Sequence, residues 1–181
     1  MKLKYLLSFM AISAVTIGTA DAAALFDIYA GATIGAGAST VFEKNETDSH
    51  SAQSYGAVLG MDVPFVRIEL EYNFMNHDYY KLHLGMINAY AKMPTTVVQP
   101  YLGLGVGSTF DGEFGPTDTN ININESTAYQ AMLGLTFTPP VLPFKIDIEG
   151  RAIYIPDVYD IADTNPDILQ YELRAKLRYI F

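Results

Sequence analysis

Few residues in this chain of 181 have the types and spacing that chemistry requires. The chain has no cysteine, which excludes disulfides, thiolate metal sites and cysteine nucleophiles. The run Asp118-x-Asn120-x-Asn122-x-Asn124 begins with calcium-loop spacing, but Ile123 stands where that loop needs glycine and Tyr129 where it needs glutamate. We therefore expect no calcium loop of this type. A loose Ca²⁺ or Mg²⁺ site among the acidic connections stays open as an alternative.

Three histidines, His50, His77 and His83, are the candidates for imidazole acid–base chemistry. Only His50 has a serine beside it, Ser51, and two adjacent loop residues do not make the serine–histidine–acid arrangement of a hydrolase. His83 falls on the charged face of a predicted strand, where we expect it to pair with Glu69 or Glu71. We predict that the chain is not an enzyme and that it has no catalytic residues, no cofactor and no metal centre.

Most other charged residues alternate with apolar ones with the period of two that is typical of a β-strand. The clearest segment is Val66 to Phe74, where apolar side chains share one face and Arg67, Glu69 and Glu71 the other. Eight segments show this alternation, strictly or less strictly: Phe26–Thr40, Ser54–Val63, Val66–Phe74, Tyr80–Lys92, Pro100–Phe110, Thr127–Thr138, Phe144–Tyr154 and Leu169–Phe181. Each is close to the length of a tilted membrane strand.

The connections between these strands alternate in length. Those around Pro64, 93–99 and 139–143 are short and contain proline, whereas 42–53, 111–126 and 156–168 are long and polar. This alternation predicts an up-and-down antiparallel sheet. The formal net charge of −9 comes almost wholly from the longer connections, and it argues against nucleic acid as a partner.

The charges on the strands themselves cancel. The polar faces carry seven cations and seven carboxylates: Arg67, Lys81, Lys145, Arg151, Arg174, Lys176, Arg178, Asp27, Asp62, Glu69, Glu71, Asp147, Glu149 and Glu172. Balanced charge is expected on an enclosed face, because an unpaired buried charge is heavily penalised. We therefore predict an all-β, eight-stranded antiparallel transmembrane barrel with a closed, charge-paired lumen and an apolar exterior in lipid.

From these faces we predict a lumen charge network. Its members are Arg67, Glu69, Glu71, Lys145, Asp147, Glu149, Arg151, Glu172, Arg174, Lys176 and Arg178. Gly103, Gly105 and Gly107 are expected to leave room for these long side chains.

Aromatic residues cluster at both ends of the predicted strands, as interfacial girdles would. One group lies toward the short turns: Phe26, Phe65, Tyr90, Phe137, Phe144, Tyr179 and Phe181. The other lies toward the long loops: Phe42, Tyr55, Phe74, Tyr80, Phe110, Tyr129, Tyr154 and Tyr171. The competing interpretation is a soluble, lipocalin-like barrel whose aromatics line an internal pocket.

The N-terminus has the pattern of a secretory signal peptide. A basic start at Lys2 and Lys4 precedes an apolar stretch and the small-residue pattern Ala20-Asp21-Ala22. We expect residues 1–22 to be removed, with cleavage after Ala24 as the alternative frame, and residues 23–181 to form the barrel domain.

Three segments resemble the OmpA/OmpX-type outer-membrane barrels, especially the small surface-antigen or opacity/porin-family branch. They are Arg67-x-Glu69-x-Glu71-Tyr72, Pro100-Tyr101-x-Gly103-x-Gly105-x-Gly107, and the stretch from Tyr171 to Phe181. The resemblance implies a monomer in the Gram-negative outer membrane, with long loops outside and short turns and both termini in the periplasm. It also implies that Tyr179 and Phe181 act as the signal for the outer-membrane assembly machinery.

The function expected from this resemblance is a non-catalytic surface protein that contributes to envelope integrity or to surface contact. Its expected partners are outer-membrane lipid and an extracellular surface ligand. A narrow, porin-like diffusion channel is the main alternative, and a lipid-modifying outer-membrane enzyme is a weaker one.

Overall fold

The computed structural model describes residues 26–43, 46–77, 80–95, 97–114, 126–156 and 167–181, with the side chains of 39–43, 46–50, 77, 80 and 111–114 excepted. The predicted signal peptide and the run from Asp118 to Asn124 lie outside these residues. Among the described residues, no helix is long and apolar enough to cross a bilayer.

Eight antiparallel strands close into one barrel, each strand pairing with its neighbours in chain order and β1 pairing with β8. The strands are β1 Asp27–Glu43, β2 Glu46–Asp62, β3 Val66–His77, β4 Tyr80–Lys92, β5 Val98–Phe114, β6 Thr127–Phe137, β7 Phe144–Ile155 and β8 Asp167–Ile180. The predicted fold class is confirmed. Closure pairs the backbone of every strand on both sides, as hydrocarbon requires of a spanning sheet.

Both described chain ends and the connections 63–65, 93–97 and 138–143 lie at one end of the barrel, the turn end. The other ends of the strands, at Glu43, His77, Phe114 and Ile155, lie at the opposite end, the loop end. At the loop end the strands run further than the sequence predicts, because β1 and β2 stay paired as far as Glu43 opposite Glu46. The prediction of a loop over 42–53 is therefore wrong. The residues there are largely serine, threonine and charged residues, so the paired strands have no apolar face from which the sequence could predict them.

The two surfaces of the barrel have opposite character. Most outward-facing residues are apolar, and Leu104, Leu133 and Leu173 are each more than 60% exposed. Inward-facing residues are polar or charged over much of the barrel, and Arg67, Glu69 and Asp147 are completely buried. This arrangement is the reverse of a soluble barrel, so the lipocalin-like interpretation is wrong.

Aromatic side chains are exposed near both ends of the outer surface. Phe65, Phe137, Phe144, Tyr179 and Phe181 lie toward the turn end, and Tyr55, Phe110, Tyr129, Tyr154 and Tyr171 lie toward the loop end. Tyr90 is an exception to the predicted girdle, because it points into the lumen and is only 2% exposed. The side chains of Phe42 and Tyr80 lie outside the described part.

Candidate functional site

The lumen holds the largest concentration of polar side chains in the described structure. Strands β3, β7 and β8 supply most of them, because their charged residues alternate with apolar ones and all point inward. The structure places the eleven residues of the predicted network on the inner face; ten are buried, and Lys145, nearest the turn end, is partly exposed.

The layer at the turn end is centred on two aspartates. Asp62 is within ion-pair distance of Lys92, of the Lys145 Nζ at 3.1 Å and of the Arg178 Nη1 at 3.3 Å. Asp147 lies 2.8 Å from the Arg178 Nε. Arg178 therefore joins the two carboxylates, and this layer closes the lumen just inside its mouth.

Arg67 lies between two aromatic rings in the next layer. Its guanidinium carbon is 3.9 Å from the centre of the Tyr90 ring and 4.5 Å from that of Tyr101. Its Nη1 also lies 3.2 Å from Asp147 Oδ2. A guanidinium is weakly hydrated and stacks well on aromatic faces, so these rings stabilise a fully buried cation.

Tyrosine hydroxyls bind the carboxylates of the middle layer. Tyr29 and Tyr90 donate to Glu69 over 2.7 and 2.9 Å, and the same carboxylate lies 2.5 Å from the Lys176 Nζ. Tyr101 donates in the same way to Glu149 over 2.9 Å. Each buried carboxylate therefore has a cation or a neutral donor beside it, as a low-dielectric interior requires.

Glu71 is the hub of the layer nearest the loop end. It accepts from Arg151 Nη1 over 2.7 Å, from both terminal nitrogens of Arg174, and from Asn88 Nδ2 over 2.8 Å. Each arginine also has a second carboxylate: Arg151 Nε lies 2.8 Å from Glu172, and Arg174 Nε lies 2.6 Å from Glu149. The network therefore links β3, β7 and β8 across the barrel.

The orientation predicted for β4 is wrong. Lys81 and His83 point outward, and Leu82, Leu84 and Met86 point into the lumen. His83 does not contact Glu69 or Glu71; its Nδ1 lies 2.7 Å from the Tyr72 hydroxyl on the outer surface. The cause is the composition of the lumen, which is apolar beside the loop-end half of β4.

Sequence reasoning left Lys92 out of the charge balance. Its ammonium group faces inward beside Asp62 and its side chain is 6% exposed. Among the described side chains the inner face still has seven cations and seven carboxylates, with Lys92 in the place assigned to Lys81. The sequence contains a pattern that could have placed Lys92 in the lumen, since Asn88, Tyr90 and Lys92 share one polar face of β4.

An apolar cluster fills the lumen on the loop-end side of the charges. We call it the apolar cap, and its members are Met75, Leu82, Leu84, Met86, Ala128, Ile153, Ile155 and Ile168. Each is at most 3% exposed. A continuous water path would have to pass this cluster as well as the ion pairs, so two different layers obstruct the lumen.

Inward-facing glycines make the space that the polar side chains occupy. A Cβ atom on Gly35 would lie 2.5 Å from both Glu172 Oε1 and Ser54 Oγ. At Gly103 a Cβ would meet the Tyr90 ring, and at Gly105 it would meet Asn88 and Gln130. Large inward-facing side chains therefore pack against the bare backbone of a neighbouring strand.

Two observations on the described residues concern metal binding and acid–base chemistry. Within them no group of three or more histidine, aspartate or glutamate side chains is arranged to hold a metal ion. His83, the only histidine whose side chain is described, packs against the rings of Tyr72, Phe74 and Phe110. The pair His50–Ser51 and the run from Asp118 to Asn124 are not covered by this statement.

Comparison with known proteins supports the fold. No family model matches the chain, and no curated protein matches it. Among solved structures, the Neisserial surface protein A is similar, with a TM-score of 0.67 and 17% identity over 85% of this chain and 97% of that one. The outer membrane enzyme PagL follows with a TM-score of 0.60 and 13% identity over 81% and 97%.

The N-terminal β-barrel domain of Pseudomonas aeruginosa OprF gives a TM-score of 0.50 and 14% identity over 82% of this chain and 97% of that one. At these identities the likeness establishes the fold and nothing finer. The chain thus has the fold of the eight-stranded outer-membrane β-barrels, as the resemblance in the sequence predicts.

Proposed function

We propose that this chain is a non-catalytic, monomeric protein of the outer membrane that seals its own lumen and presents acidic loops to the outside. The observation that carries the proposal is the contrast between the two surfaces. Apart from a few polar side chains near the loop end, such as Lys81, the outer wall is apolar, and the lumen encloses paired charges. Such a molecule is stable only where lipid covers its wall.

The sealed lumen argues against the alternative of a diffusion channel. Arg151, Arg174 and Glu71 cross the interior in one layer, and the apolar cap lies beyond them. An ion would have to break several buried pairs and then enter a dry apolar region. Both steps carry desolvation penalties that an open porin lumen avoids.

A lipid-modifying enzyme has less support. The structural similarity to the outer membrane enzyme PagL concerns the fold, because the two chains share 13% identity. Hydrolysis would need a nucleophile beside an oriented imidazole, and the described imidazole of His83 bonds to a tyrosine hydroxyl instead. We therefore keep the surface role as the proposal.

The surface role rests on the loop end. The sequences that connect the strands there are rich in aspartate and glutamate, for example in 111–126 and 157–167. Mutual repulsion keeps such a rim hydrated and available to ligands of opposite charge. Replacing 115–125 by a Gly-Ser linker of the same length should weaken attachment to the target surface, and replacing 157–166 as well should abolish it. Unchanged attachment in the double replacement would contradict this role.

Location and orientation can be tested directly, because a chain without cysteine accepts single reporter cysteines. We propose that residues 1–22 are removed and that the mature N-terminus lies in the periplasm. An Asp163→Cys variant should react with a membrane-impermeant maleimide on intact cells, and a Leu25→Cys variant, which keeps its reporter under either cleavage frame, should react only after permeabilisation. The opposite pattern would invert the orientation, and no reaction at Asp163→Cys in intact cells would contradict surface exposure.

A further inference from the structure

The turn end of the barrel exposes large apolar side chains that lie in connections or, for Val98, at the first residue of a strand. We call six of them the apolar collar: Phe65, Met93, Val97, Val98, Val141 and Leu142. Val141 is 89% exposed and Phe65 63%. Residues 63–66, 93–98 and 138–143, which contain the collar, include no charged residue. Exposed apolar patches of this kind indicate an interaction surface.

We propose that the apolar collar is immersed in lipid, at the boundary between the acyl chains and the headgroups of the adjacent leaflet. The first reason is continuity. The collar joins the apolar outer wall without a polar break, because Phe65 precedes Val66 of β3 and Leu142 precedes Phe144 of β7 by two residues. The proposal rests on the membrane location proposed above.

The second reason is the height of the apolar wall. A strand tilted by about 40° rises about 2.6 Å per residue along the barrel axis. The outward apolar run of β3 from Val66 to Phe74, and that of β6 from Tyr129 to Phe137, therefore each cover about 21 Å. A membrane barrel needs an apolar band of about 25 Å. Beside β3 and β6, the connections at the turn end supply the missing height.

The third reason is that backbone groups of the connections bond to a neighbouring connection or to a strand end, which lowers the penalty of placing backbone in lipid. Around the rim, Lys92 N donates to Phe65 O over 2.8 Å, Thr138 N to Val97 O over 2.9 Å, and Ile180 N to Pro143 O over 2.9 Å. The same connections contain five prolines, which have no N–H to satisfy: Pro64, Pro94, Pro139, Pro140 and Pro143.

The depth of single spin labels tests this inference. Val141→Cys and Val97→Cys, labelled in the full mature barrel in dimyristoylphosphatidylcholine vesicles, should be accessible to oxygen and protected from a water-soluble nickel complex. Leu133→Cys, in the middle of the outer wall, is the lipid control, and Ser51→Cys, at the loop end, is the water control. We expect the two collar labels to be at least threefold less accessible to nickel than Ser51→Cys.

The controls separate this proposal from the membrane location. If the Leu133→Cys label is shielded from nickel and the collar labels are as accessible as Ser51→Cys, the barrel is inserted and the collar lies in water. That result overturns the inference and makes the collar a docking site for an aqueous partner instead. If Leu133→Cys is itself accessible to nickel, the membrane location fails, and this inference fails with it.

Discussion

Removal of the Glu71 carboxylate is the sharpest perturbation of the lumen. Glu71 pairs with Arg151 and with Arg174, and it also accepts from Asn88. Breaking a buried pair by removing one partner costs about 3–5 kcal/mol. Each arginine keeps a second carboxylate, Glu172 or Glu149. We therefore expect Glu71→Ala to lower the free energy of unfolding by about 3 kcal/mol, the lower end of this range, or roughly a 150-fold change in the folding equilibrium.

The assay is equilibrium urea unfolding of the refolded barrel in lipid vesicles, followed by circular dichroism. Lys81→Ala is the matched control, since this cation points outward, and its midpoint should not move. Arg151→Ala alone should destabilise by about 1–3 kcal/mol, because lumen carboxylates lose a partner. The double variant Glu71→Ala/Arg151→Ala should lose less unfolding free energy than the two single variants together, because it removes the carboxylate together with one of the cations that would otherwise lack it. An unchanged midpoint for Glu71→Ala would mean that the network is hydrated rather than packed, and would refute this reasoning.

Three further predictions follow from particular contacts. Gly35→Val should destabilise the barrel by about 1–3 kcal/mol, because the new side chain would meet Glu172 and Ser54. Gly150→Ala on the outer wall should leave the urea midpoint unchanged, because the nearest atom to the new Cβ is 3.9 Å away. Equal effects of the two substitutions would contradict the inward packing. Arg67→Lys should lower the unfolding free energy by about 1–2 kcal/mol, because an ammonium group does not stack between Tyr90 and Tyr101, and an unchanged midpoint would show that the rings contribute nothing. Phe181→Ala should reduce insertion into the outer membrane of cells while refolding into vesicles stays unchanged, and normal insertion would remove Phe181 from the assembly signal.

Much of the fold could be predicted from the sequence because the two faces of most strands meet opposite environments, the charged lumen on one side and the apolar outer wall on the other. In β3, β7 and β8 three or four successive residues of one face are charged, so the inward face is unambiguous, and the structure places these residues in the lumen. The bounds of β4, Tyr80–Lys92, also agree with the prediction.

The orientation of β4 could not be predicted in the same way. The inner face of β4 borders two different layers of the lumen, a polar one beside Asn88 and Tyr90 and an apolar one beside Leu82 and Leu84. The polar residues of its two halves therefore fall on opposite faces, and Lys81 and His83 suggested the wrong one. The length of a strand also depends on backbone pairing with its neighbour, which side-chain alternation does not reveal. For this reason the sequence does not predict that β1 and β2 extend beyond the apolar wall.

The central claim is that the lumen is sealed by paired charges and by the apolar cap. Single-channel recording of the refolded, full mature barrel in a planar bilayer tests it most directly, with circular dichroism of the same sample to establish folding. We predict that the folded protein gives no discrete openings across the voltage range that the bilayer tolerates. Stable openings of reproducible conductance would contradict the claim and would make the charged interior a water path.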